Sequence, residues 1–128
     1  MDTFLWLLIG HLLGEWLLQN DWMYFGQQRG PVTLPGLIRL AVYTLTVLGW
    51  LWLAGVAVAD VMTWLAMGVM LFASHWLIDQ TGLVPGWVRF YGQTDHPLAQ
   101  VMVDQILHLL VLAGLSLYVS RQWIAVVI

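Results

Sequence analysis

Apolar residues fill four long stretches of the chain, and polar residues enter them at regular helical intervals. The first, Phe4 to Trp22, reads FLWLLIGHLLGEWLLQNDW, with Asp2-Thr3 ahead of it as an N-cap. Stretches of about 20 apolar residues match the thickness of a bilayer. The pattern predicts helices over about 3–20, 36–58, 61–80 and 98–120. Pro35 suits the first turn of the second helix and Asp60 caps the third. The segments 21–35 and 82–97 carry Gly and Pro at several positions and read as loops. In the second loop, Trp87, Phe90 and Tyr91 flank Arg89, a mixture suited to the headgroup level of a membrane. Asp95-His96-Pro97 opens the fourth helix, and Arg121 to Ile128 forms a short apolar tail. The expected fold is an all-α membrane protein: four transmembrane helices in two antiparallel hairpins, forming one bundle and one domain over residues 1–128.

Composition agrees with this reading. Only 9% of the residues are charged and 61% are hydrophobic, whereas a soluble domain carries about 25% charged residues. Four transmembrane helices and their loops use up 128 residues. No cysteine is present, which removes disulfides and thiolate ligands. The four Arg are scattered and the net charge is −3, so no basic face for nucleic acid exists. No positive residue precedes the first apolar run, and His11 and Glu15 interrupt it, unlike a cleaved signal peptide. Arg29, Arg39 and Arg89 lie on one side of the expected bundle and Arg121 on the other. The positive-inside rule then puts both long loops in the cytoplasm. The expected location is a bacterial inner membrane, or a photosynthetic membrane of thylakoid type.

The polar residues inside the apolar stretches carry the chemistry. His11, Glu15 and Gln19 recur at i,i+4, which stacks them on one helix face. His75 with Asp79, and Asp104 with His108, repeat the pairing on the third and fourth helices, and Arg39 with Tyr43 occupies similar depth on the second. All fall within one leaflet, while the other half of each helix is almost wholly apolar. Gly10-His11 to Glu15 also resembles Ser74-His75 to Asp79, a faint internal repeat. One converged polar site follows. As a metal site, its ligands are His11, Glu15, His75, Asp79, Asp104 and His108, and mixed N/O donors suit Zn, Fe or Mn. Three carboxylates against one guanidinium leave two net negative charges when ionised, which one divalent cation neutralises. Such a metal would make the protein a hydrolase of lipid-linked substrates, with Glu15 or Asp79 as the catalytic carboxylate. Gln19, Arg39, Tyr43 and Gln105 would support the site. A second reading makes the cluster interhelical glue in a non-catalytic accessory subunit of a larger membrane complex or homo-oligomer, with Arg39 neutralising the carboxylates. A third takes the histidines as axial ligands of haem or chlorophyll, but axial ligation does not need an acid one turn away from each. The nine Trp read as lipid-facing or interfacial anchors.

Three ordered motifs carry a family resemblance: His11-Leu-Leu-Gly-Glu15-Trp-Leu-Leu-Gln19 with Trp22, Ser74-His75-Trp-Leu-Ile-Asp79, and Asp104-Gln105-Ile-Leu-His108. In these the chain resembles a bacterial family of small four-helix membrane proteins known as domain of unknown function 3307. That family has Asp where this chain has Glu15, and His, three residues, then His or Tyr where this chain reads Arg39-Leu-Ala-Val-Tyr43. The resemblance implies the fold and the place of the site, and supplies no reaction.

Overall fold

In a computed structural model of the protein, residues 2–96 and 98–127 are described. The fold is all-helical, and side-chain caps set most of the helix starts. The Asp2 carboxylate accepts from the Leu5 N–H at 2.9 Å and starts α1, Thr3–Leu12. The helix then widens into one π turn, Leu13–Leu17, closed by a bond from Leu18 N–H to Leu13 C=O at 3.1 Å. Asn20 caps α2, Asp21–Gln27, and Thr33 caps α3, Leu34–Leu53, with Pro35 in its first turn. Asp60 caps α4, Val61–Gln80, accepting from both the N–H and the hydroxyl of Thr63 at 2.8 Å. A short helix α5, Leu83–Phe90, precedes the long α6, Ala99–Val127.

Among the described residues, three helices are long and apolar enough to cross a membrane: α3, α4 and the Ala99–Gln122 part of α6. The sequence pattern predicts four. The first falls short because its ten α-helical residues and five-residue π turn end at Leu17, well before Asn20. At about 1.5 Å per residue this is roughly 22 Å of rise, against a hydrocarbon core of about 30 Å. The two segments expected to be loops each contain a helix, α2 and α5. The expected C-terminal tail continues α6, which runs to Val127 instead of 120. Pro97, the expected start of the fourth helix, and the side chain of Trp123 lie outside what is described.

The long elements pack in a closed order: α1 on α3, α3 on α4, α4 on α6, and α6 on α1. Leu7, Val47, Leu51, Met67, Leu71, Leu112, Leu115 and Val119 form the apolar core between them. Gly14 permits the close approach of the π turn to α3, since a Cβ there would lie 3.1–3.3 Å from the side chain and backbone of Tyr43. At Gly26 a Cβ would lie 2.2 Å from the Pro35 ring, so α2 folds tightly back onto α3. The short helices lie at the end of the molecule away from the apolar core: α2 against α3, and α5 against α4 and α6. This end carries the polar residues.

Candidate functional site

His11 is fully buried, and both of its nitrogens are engaged. Nε2 faces the Gln105 Oε1 at 3.1 Å and the Glu15 Oε2 at 3.1 Å, while Nδ1 lies 2.7 Å from the Tyr43 hydroxyl. Both neighbours of Nε2 are acceptors, so the proton sits there, and Nδ1 accepts from Tyr43. The Gln105 amide passes the network on, donating to Glu15 Oε1 and to Asp104 Oδ2, both at 3.1 Å. Four elements thus meet through one histidine and one glutamine.

His75 and His108 are 1% and 3% exposed, and their ring centroids lie 4.8 Å apart. His108 Nδ1 lies 2.7 Å from the backbone carbonyl of Asp104. A carbonyl only accepts, so Nδ1 carries the proton and the neutral ring presents a bare lone pair at Nε2. Among the described residues no hydrogen bond reaches that Nε2, and Asp79 Oδ1 is 3.8 Å away. His75 Nε2 comes within 2.6 Å of Asp79 Oδ2. Asp79 Oδ2 also accepts from Arg39 NH1 at 2.7 Å, and the same guanidinium nitrogen donates to Gln27 Oε1 at 2.8 Å.

Glu15, His75, Asp79 and His108 each offer one donor atom, and these four atoms lie within 4.8 Å of one another. Among the described residues none of Glu15 Oε2, His75 Nε2 and His108 Nε2 has a directed hydrogen bond, although His11 Nε2 lies 3.1 Å from the first and Asp79 Oδ2 2.6 Å from the second, so His108 Nε2 is the one left without a close polar neighbour. Two imidazoles and two carboxylates suit a borderline divalent ion, and the opening is somewhat wider than a closed zinc shell, whose donors stand roughly 3.5 Å apart.

The six residues expected as ligands therefore divide. Four converge. His11 turns both nitrogens to Tyr43, Gln105 and Glu15, and Asp104, the most exposed of the three carboxylates, faces Gln105. Gln19 leaves the expected stack, because the π turn ends the helix before it; its amide donates to the Gly14 carbonyl at 2.6 Å. Gln27, in a segment expected to be a loop, joins the site by holding Arg39. Its signal was the Asn20-Asp21 helix start, which places Gln27 at the inner end of α2.

A cavity of about 570 Å³ opens beside the cluster. Glu15, Arg39, Asp79, Asp104 and Gln105 line its polar wall, and Trp16, Tyr24 and Val101 are among its apolar residues. The site is thus reached from the side between α2 and α5.

The model of the family described as "Protein of unknown function (DUF3307)" matches residues 3–127, nearly the whole chain. The chain belongs to the DUF3307 family. No curated protein and no solved structure matches it. The three motifs of this DUF3307 protein run from α1 through its π turn into α2, along α4 and along α6, and each contributes at least one residue to the donor cluster.

Proposed function

We propose that this protein is a multi-pass membrane protein that holds a divalent metal ion between Glu15, His75, Asp79 and His108 and acts on a lipid-borne substrate. The observation that carries the reading is the convergence of four ligand atoms, two imidazole nitrogens and two carboxylate oxygens, within 4.8 Å of one another, with the buried His108 Nε2 lone pair aimed among them. Leaving the His108 nitrogen unpaired costs about 1–3 kcal/mol, and an ion would remove that cost. Bound there, Zn, Fe or Mn would supply Lewis-acid polarisation and activation of water. The chain's own residues divide the remaining work. Arg39 fixes Asp79, His11 and Gln105 hold Glu15, and Asp104 stands at the cavity as the carboxylate left for proton transfer. The wide apolar surface supports a bilayer as solvent, with residues such as Leu45, Trp52, Met62, Val69 and Leu110 outward on α3, α4 and α6. The loop-side Arg29, Arg39 and Arg89 favour that end in the cytoplasm.

A second reading rests on the Arg39–Asp79 pair. A guanidinium 2.7 Å from the carboxylate serves as a built-in cation, which suits an accessory subunit without metal. Elemental analysis of protein purified in mild detergent without chelator separates the two. The metal reading expects about one equivalent of Zn, Fe or Mn. That metal is lost in His75→Ala and His108→Ala and kept in His11→Gln, whose imidazole orients Glu15 and ligates nothing. No metal in the unaltered protein overturns this reading and leaves Arg39 as the cation.

A further inference from the structure

A second cavity, of about 420 Å³, lies beside the first and is lined by Pro85, Val88, Arg89, Thr94, His96 and Gln100. Its chemistry is opposite to that of the metal cluster. Among the described residues no carboxylate lines it, and all four polar residues can donate hydrogen bonds. The Leu98 N–H donates to His96 Nδ1 at 3.3 Å, so the proton of the neutral ring sits on Nε2, which is left as a donor. Among the described residues Arg89 makes no ion pair. One guanidinium with imidazole, hydroxyl and amide donors suits an oxyanion with several acceptor oxygens.

Two further observations say what kind of molecule carries that anion. Pro85 and Gln100 line both cavities, so the donor pocket adjoins the carboxylate-lined one. On α5, Val84 and Val88 are buried, whereas Leu83, Trp87, Phe90 and Tyr91 are exposed and form a single stripe. Trp87 and Tyr91 stack at 5.6 Å with their planes 11° apart. An aromatic stripe beside an arginine is the arrangement that sits where acyl chains meet headgroups.

We propose that Arg89, His96, Thr94 and Gln100 bind the phosphate of an anionic amphiphile, whose neighbouring bond then lies toward Glu15 and Asp104. The phosphate site stands on these observations alone; its role in presenting substrate rests on the metal reading.

The test is equilibrium binding to the full chain in an uncharged maltoside detergent. The probes are a short-chain phosphatidic acid, the diacylglycerol with the same chains, and inorganic phosphate. Phosphatidic acid is expected to bind, and to bind about tenfold more weakly to Arg89→Gln and His96→Ala. Diacylglycerol is expected not to compete. Protein stripped with chelator, which empties the proposed metal site, is expected to bind phosphatidic acid as untreated protein does, so failure of the metal reading stays distinct from failure of this one. Equal binding to Arg89→Gln, or to diacylglycerol, overturns the phosphate site. Inorganic phosphate binding as tightly as phosphatidic acid overturns the lipid source and assigns the pocket to soluble phosphate. Arg89 is exposed, so its replacement leaves the core intact, and unchanged helical circular dichroism verifies this.

Discussion

Arg39 puts a fixed positive charge 2.7 Å from Asp79 in a place only 6% exposed. Removing one partner of a buried ion pair strands the other, at a cost of roughly 3–5 kcal/mol. Arg39→Met should therefore lower stability by about that amount when the protein is stripped with chelator. If a divalent ion also contacts Asp79, restoring the ion should recover a large part of the loss. Denaturant unfolding in detergent, with and without added Zn or Mn, measures both. A loss that no metal recovers would identify Arg39 as the site's only cation. At the same scale His11 shows how a residue type alone misleads. Its spacing to Glu15 matches that of His75 to Asp79, yet Tyr43 and Gln105 take up both of its nitrogens.

Element by element, the caps and the π turn decide where side chains land. The π turn carries Glu15 toward α6 and ends the helix, so that Gln19 satisfies the Gly14 carbonyl instead of extending the stack. At the far end of the molecule, Asp60 starts α4, and the hydrogen bonds from Thr63 hold its carboxyl below the ordinary aspartate range. A carboxyl depressed in the folded state adds stability above its unfolded pKa, and that stability is lost as pH falls through the folded value. Asp60→Ala should thus melt below the unaltered protein at neutral pH, and the gap should narrow below about pH 4. Asp60→Asn, an equally good cap, should keep the stability and lose the pH dependence. Thermal unfolding across pH distinguishes the three proteins, and a gap that widens in acid would contradict the capping account.

For the whole molecule, the outer faces of α3, α4 and α6 are apolar while the polar groups are gathered inside at one end. This arrangement fits the proposed membrane location, because in hydrocarbon polar groups are tolerated only where they meet each other. The protein should stay with the membrane pellet through an alkaline carbonate wash and leave it only with detergent. Release by carbonate alone would mean that the apolar faces are covered by another protein and not by lipid.

The linear pattern determined that the chain is helical, that three of its stretches are long and apolar enough to cross a membrane, and that acids and histidines one turn apart share a helix face. Those are consequences of helical period and of the cost of isolated polar groups, and both act locally. Which of six candidate ligands face one another was decided only by the tertiary structure. His11 and His75 share a motif, and packing gives one a tyrosine and a glutamine and leaves the other with an unpartnered nitrogen. Packing likewise brought Gln27 of α2 to Arg39 of α3. Contacts between residues far apart in the chain depend on how closely helices approach, and here that approach is set by small residues such as Gly14 against Tyr43. A periodicity read along one helix carries no such information about its neighbour.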